Sequence, residues 1–100
     1  MYEYEIEALV AYGFRKYHGI EAFPTIVASG PNGCILHYTK NTRKVQKGDL
    51  VLLDFGIEID GYGADISRTF PVDSNFSLRQ QEFHDAVVDV KQFAESMLRL

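Results

Sequence analysis

The chain contains 100 residues, of which 46% are hydrophobic and 13% aromatic, a length and composition that allow one modest globular core. Its formal net charge of −4 argues against the basic surface that nucleic-acid binding requires. No segment is apolar over the length of a membrane span, and the acidic N-terminal residues differ from a secretory signal. We therefore expect a cytoplasmic protein without nucleic-acid or membrane partners.

Residues 2–18 are predicted to form the first helix, because apolar side chains recur there at helical spacing. Acidic residues, including Glu3, precede basic ones and lie on the other faces of the helix, in agreement with the helix dipole. Gly19 is the expected stop at its C-terminal end. The helix begins at the first residue without a capping box, so we expect the chain to be part of a longer protein.

Two strands are predicted next, at residues 24–29 and 34–39, joined by a turn at Pro31–Gly33. Cys34 is the only cysteine, which excludes an internal disulfide and a thiolate zinc cluster, and we expect its small side chain to be buried. Basic residues follow in a turn-rich stretch, which we interpret as a solvated loop. They are Lys40, Arg43, Lys44 and Lys47.

Residues 50–71 are predicted to form a β-hairpin around Asp60–Gly61, a dipeptide typical of two-residue hairpin loops. With such a loop, the register places Gly56 opposite Asp65. Alternate side chains then form one nearly apolar face, which we expect to pack against helices. The other face carries acids among small residues and has the character of a cavity wall.

Asp54 and Asp65 lie on this second face as diagonal neighbours, about 7 to 8 Å apart at the backbone. Gly56, opposite Asp65, is expected to leave room beside the acid. Two interpretations of the pair remain open at this point. Acidic residues are common on the solvated face of a hairpin, and two carboxylates at this separation also suit one metal ion or an ion pair.

Ser77 and Gln80 have the spacing of a capping box and open a second predicted helix over residues 77–100. The order of helix, antiparallel strands and helix predicts an α+β fold. We expect the apolar stripe of the second helix to pack on the apolar face of the hairpin. The stripe consists of Phe83, Ala86, Val87, Val90, Phe93, Ala94 and Met97.

Three histidines accompany the two aspartates, and none has the spacing of a short metal-binding motif. His18 lies at the end of the first helix, where a cation suits the helix dipole. His84 is predicted at an exposed position of the second helix. For His37, among apolar residues of the predicted strand 34–39, a hydrogen-bonded core histidine is the simplest interpretation. No GxSxG sequence is present, so no serine nucleophile is predicted.

Three stretches carry a resemblance: IVASGPNGCILHYTKN at 26–41, GDLVLLDFGIEIDGYGADISRTFPV at 48–72, and FSLRQQEFHDAVV at 76–88. Together they resemble the Xaa-Pro aminopeptidase branch of the pita-bread metallopeptidases. The most specific part is LLDFG followed by ADISRTFPV, in which two aspartates stand eleven positions apart. Prolidases and methionine aminopeptidases share that separation, whereas the ILHY and RTFPV contexts are most similar to aminopeptidase P.

The resemblance implies a dinuclear metal site in which Asp54 is a bidentate ligand of one ion and Asp65 bridges both. His37 matches the histidine that lines the substrate pocket in the family. The implied cofactors are two divalent metal ions, with manganese the best match to mainly oxygen ligands and cobalt, zinc or iron as alternatives. The implied substrates are peptides with proline in second position, which are cleaved before the proline.

The resemblance also implies that residues 1–100 are the first of two pseudo-symmetric halves of a pita-bread catalytic domain, without the N-terminal domain common in the family. One histidine and two glutamates of the family site belong to the later half, so the isolated chain is expected to be inactive. Its uncovered apolar surface is expected to favour a homo-oligomer. A prolidase-type dipeptidase and a non-catalytic pita-bread binding module remain alternatives.

Overall fold

The computed structural model describes residues 1–99, so the last position of the predicted second helix, Leu100, lies outside the described residues. In the described part, two α-helices flank short antiparallel strands, which confirms the predicted α+β class. None of these helices combines the length and apolar character needed to cross a membrane. The elements are α1 (Glu3–Lys16), β1 (Ile20–Glu21), β2 (Ile26–Ser29), a 3₁₀ helix (Gly30–Cys34), β3 (Leu50–Phe55), β4 (Ile57–Ile59), β5 (Tyr62–Gly63), β6 (Ile66–Pro71) and α2 (Leu78–Ser96).

The central hairpin has the predicted register but is divided between two sheets. β3 pairs with β6, with Asp54 opposite Ser67, and β4 pairs with β5, with Ile59 opposite Tyr62. The base of the hairpin is extended by β2, which pairs with β3. The tip is extended by β1, a two-residue strand too short to have a recognisable sequence pattern.

The hairpin changes sheets at Gly56, which is buried between the two ladders. A Cβ atom at Gly56 would overlap the carbonyl oxygen of Ala64 and lie 2.9 Å from the ring of Phe23. The expectation that this glycine leaves room beside Asp65 is therefore wrong, because backbone already fills the space. Glycine is required here for the close approach of the two strands.

α1 covers part of the apolar face of the hairpin. The rings of Phe14 and Phe55 stack with centroids 6.2 Å apart. Val27 of β2, which pairs with Leu53, is fully buried. On the β6 side of the same face, Phe70 remains half exposed, so the helix covers this face only in part.

Both ends of α1 differ in detail from the prediction. At the N-terminus, the Glu5 carboxylate accepts a hydrogen bond from the Tyr2 backbone N–H, so the expected absence of a capping interaction is wrong. At the C-terminus, His18 rather than Gly19 adopts the left-handed conformation, with φ of 60°. Gly19 follows it and allows a close approach to β4, since a Cβ atom there would overlap the Ile57 side chain.

α2 begins as predicted but does not pack as predicted. Ser77 and Gln80 exchange both hydrogen bonds of the capping box. Phe83 and Phe93 nevertheless remain 59% and 68% exposed, so the expected core contact with the apolar face of the hairpin is wrong. Apolar periodicity identifies one side of a helix as apolar, but it does not specify which surface covers that side.

The predicted strand at residues 34–39 is also wrong. The 3₁₀ helix occupies its start, and an irregular segment follows, in which His37 has a left-handed φ of 52° that no strand accommodates. Tyr38 is the buried residue of this segment and packs on Ile26, Ala28 and Leu52. Cys34 is exposed, so the prediction that its side chain is buried is wrong as well.

Candidate metal centre

The three residues that the sequence singled out line one open cleft of about 450 Å³, together with Phe23, Pro24, Ile26 and Thr39. His37 reaches the cleft from the irregular segment after the 3₁₀ helix. Asp54 comes from β3, and Asp65 comes from the bend between β5 and β6. Residues from separate parts of the chain thus meet above the face of the hairpin that was predicted to carry the acids.

The two aspartates have different surroundings. Asp54 is half-buried, and its Oδ1 accepts a hydrogen bond of 2.9 Å from the Oγ–H of Ser67, its partner across the β3–β6 ladder. Asp65 is exposed and lies in the interval between the two ladders. One carboxylate is therefore oriented by a neighbour, and the other is open to solvent and to whatever enters the cleft.

His37 is exposed, so the interpretation as a hydrogen-bonded core histidine is wrong. Its neighbour Tyr38 anchors the segment instead. The Tyr38 ring is buried on Ile26 and Ala28, and its hydroxyl donates a hydrogen bond of 2.7 Å to Oε2 of Glu3. The segment that carries His37 is thus fixed to the core through Tyr38.

Glu3 is a fully buried carboxylate that joins α1 to the segment carrying His37. Its Oε1 accepts hydrogen bonds from the N–H and Oγ–H of Ser29, at 2.8 and 2.7 Å, and from Nδ2 of Asn32, at 3.1 Å. Its Oε2 accepts from the backbone N–H of Arg43, at 2.9 Å, in addition to Tyr38. Burial by itself raises the pKa of Glu3, but the hydrogen bonds from Ser29, Tyr38 and Asn32 outweigh it and lower the pKa from 4.5 to about 2.

Sequence reasoning missed this cluster because Glu3 fits the pattern of a solvated acid in the first turn of a helix. Arg43 was also misjudged as part of a solvated loop. Its guanidinium donates to Oγ of Ser29, at 2.8 Å, and pairs with Asp49. The hydrogen bond from Arg43 lowers the pKa of the Asp49 carboxyl group. No local pattern signals that Ser29 and Arg43 meet Glu3, because the three residues are far apart in the chain.

The whole chain, residues 1–100, matches the sequence model described as metallopeptidase family M24. The chain belongs to this family. It is 46% identical over its full length to the Xaa-Pro aminopeptidase of Escherichia coli strain K12, and 43% identical over 97% of its length to that of Haemophilus influenzae. It spans 22% and 23% of the lengths of those two proteins.

Solved structures agree with this assignment to the M24 family. Zinc-substituted aminopeptidase P from E. coli, in complex with product, matches 99% of the chain with a TM-score of 0.96 and 42% identity. Proline aminopeptidase P II from Yersinia pestis matches with the same TM-score and 41% identity. The chain covers 23% of each of these structures. The resemblance to the aminopeptidase P type of pita-bread metallopeptidase is thereby confirmed.

Membership of a metallopeptidase family implies divalent metal ions, and the cleft of this M24 chain offers carboxylate oxygens, which hard divalent ions prefer. Among residues 1–99, no three His, Cys, Asp or Glu side chains are grouped closely enough to hold an ion. Asp54 and Asp65 therefore suit part of a ligand set rather than a complete one. Their assignment as ligands, and that of His37 to the substrate pocket, stay predictions.

Neither of the other two histidines of the M24 chain lines the cleft that holds both aspartates. His18 ends α1, as described above. His84 is less exposed than predicted: its ring lies 4.6 Å from that of Phe76, and its Nδ1 is buried with no hydrogen-bond partner among the described residues. Besides this aromatic contact, His84 lines a neighbouring cavity of about 940 Å³ that also includes Asp65 and Ser67.

Proposed function

We propose that this chain is the first half of the catalytic domain of an Xaa-Pro aminopeptidase, which hydrolyses the bond between an N-terminal residue and a following proline. The observation that carries the proposal is the convergence of His37, Asp54 and Asp65 on one cleft. These are the three residues that the family resemblance assigns to the site, and they come from separate parts of the chain.

The relatives favour this activity over the alternatives that the sequence left open. The E. coli and H. influenzae relatives matched by sequence are named Xaa-Pro aminopeptidase, and one solved E. coli relative is an aminopeptidase P variant in complex with substrate. Two further solved variants of that enzyme replace aspartates that are eleven positions apart, the separation of Asp54 and Asp65 in this chain.

In the proposed site, Asp54 and Asp65 would together hold two divalent ions, and manganese is the best match to the oxygen donors. When bound, such ions activate a water molecule and polarise the scissile carbonyl group. The chain's own residues prepare this chemistry. The Ser67 hydroxyl orients Asp54 through its hydrogen bond, and His37 lines the place where the peptide enters.

The chain on its own is proposed to be inactive, because it contributes two carboxylates to a ligand set that needs further members. The test therefore uses an exchange enzyme, in which residues 1–100 replace the matching segment of E. coli Xaa-Pro aminopeptidase. We expect the exchange enzyme to bind two manganese ions and to hydrolyse an Xaa-Pro peptide. Asp54→Asn should weaken manganese binding in calorimetric titration and reduce turnover.

The matched control is Asp60→Asn, the same change at the hairpin turn and outside the cleft. Asparagine tolerates the left-handed φ of 53° at this position, so the fold should be unaffected. Equal losses of binding in both variants would contradict the ligand assignment. Manganese binding without hydrolysis of any Xaa-Pro peptide would favour a non-catalytic binding module, and cleavage restricted to dipeptides would favour a prolidase-type enzyme.

A further inference from the structure

We propose that Glu3 is a positioning residue of the site: through the Tyr38 hydroxyl, it holds the irregular segment that carries His37 over the cleft of Asp54 and Asp65. This role rests on the proposed function, because it assigns His37 to the substrate pocket. Glu3 itself is fully buried beneath that segment. It therefore acts through its hydrogen-bonded partners and touches neither peptide nor metal.

The segment of residues 35–40 has no regular secondary structure of its own. It follows the 3₁₀ helix and belongs to no strand, and His37 takes a left-handed φ of 52°. Few residues other than glycine adopt this conformation, although histidine, asparagine and aspartate do so more often than the rest. A conformation of this kind persists only where the surroundings impose it. The cause must lie in tertiary contacts.

Tyr38 makes those contacts. Tyr38 is the buried residue of the segment, with its ring on Ile26 and Ala28. Ring burial alone would allow the side chain to slide along the apolar surface, because apolar contact is not directional. The hydrogen bond of 2.7 Å from its hydroxyl to Glu3 is directional and fixes how far the residue extends into the core.

The Glu3 carboxylate also holds both flanks of the segment. Ser29 and Asn32 precede it and Arg43 follows it, and all three donate to Glu3. Loss of the carboxylate would therefore release the segment at its start, its middle and its end. A helix residue far from the cleft in sequence thereby determines where His37 lies.

The decisive variant is Tyr38→Phe, which removes the hydroxyl and keeps the buried ring. Glu3→Gln puts the fold as a whole at risk, because it removes a buried charge that accepts hydrogen bonds from five donor groups. Tyr38→Phe removes one of those donors, together with the longer hydrogen bond of 3.4 Å that the Tyr38 hydroxyl accepts from the Thr42 N–H. In the exchange enzyme, we expect faster amide hydrogen exchange across residues 35–40 and a KM for an Xaa-Pro peptide raised about fivefold, the factor that one ordinary hydrogen bond represents. The Kd for manganese should stay within about twofold, since Asp54 and Asp65 keep their contacts.

The matched control is Thr25→Val, which removes another buried hydroxyl whose hydrogen bond, to Glu21 at 3.0 Å, does not involve the segment. It should lower the melting temperature without changing exchange at residues 35–40 or KM. Unchanged exchange in Tyr38→Phe, or the same changes in Thr25→Val, would overturn the positioning role. If the exchange enzyme neither binds manganese nor cleaves peptides, the proposed function fails, and hydrogen exchange still decides whether Glu3 orders the segment.

Discussion

Acid should weaken this fold through Glu3, and the size of the effect follows from the shift of its pKa. In the folded chain the pKa of Glu3 is about 2, against 4.5 for a glutamate carboxyl group without these contacts. The unfolded chain therefore takes up a proton at a higher pH than the folded chain does. Stability from Glu3 is fully present above pH 4.5 and is lost as the pH falls toward 2.

The magnitude is about 3 kcal/mol, because each unit of pKa difference corresponds to about 1.4 kcal/mol. For a domain of this size, that is a large fraction of the whole free energy of unfolding. Between the two pKa values, Glu3 alone makes the free energy of unfolding change by up to about 1.4 kcal/mol per pH unit.

Glu3→Gln removes the titrating group while keeping the shape of the side chain. We expect the variant to be less stable than the parent by about 3 kcal/mol at pH 7 and nearly equal to it near pH 2, because protonation removes the same charge from the parent. Urea unfolding at a series of pH values, in the exchange enzyme and in the chain itself, measures the difference. Glu7→Gln, on the same helix, is the control for loss of one carboxylate.

A difference between parent and Glu3→Gln that stays constant from pH 7 to the acid limit would refute the reasoning. It would mean that the carboxylate contributes through shape and neutral hydrogen bonds alone. An equally pH-dependent difference for Glu7→Gln would have the same consequence, since it would assign the titration to acidic residues in general.

Three further predictions concern the hairpin, the metal ligands and the surface. Gly56→Ala should destabilise the chain by more than about 3 kcal/mol in urea unfolding, because the new methyl group overlaps the backbone of Ala64. The control Gly63→Ala places its methyl group at an ordinary contact distance and should cost less than about 1 kcal/mol. Equal costs would contradict the close approach of the strands as the reason for glycine at position 56. Asp65→Asn should lower kcat/KM of the exchange enzyme by more than about 100-fold, since it removes a charge proposed to be shared by two cations, and near-normal turnover with manganese present would exclude that role. The isolated chain should self-associate through the exposed stripe of α2, and Val90→Lys should reduce its apparent mass in light scattering; a monomeric parent would contradict this.

Local sequence patterns predicted the parts of this protein whose geometry depends on near neighbours. The Asp60–Gly61 loop determines the hairpin register, and side-chain alternation then places Asp54 on the face that lines the cleft. The capping box at Ser77 is equally local, because both of its hydrogen bonds join residues three positions apart. Family membership followed from the same stretches, since they contain the specific contexts of the two aspartates.

Tertiary structure decided what depends on residues far apart in the chain. Glu3 has the sequence pattern of a solvated first-turn acid, and it becomes a buried hub only because α1 lies beside β2 and the segment leading to Arg43. His37 belongs to a run typical of a strand, yet the contacts of Tyr38 impose a left-handed conformation beside it. The apolar stripe of α2 has the pattern of a core-facing surface, yet it stays exposed. Periodicity depends on the sequence of one helix, whereas burial also requires a second element to cover that helix.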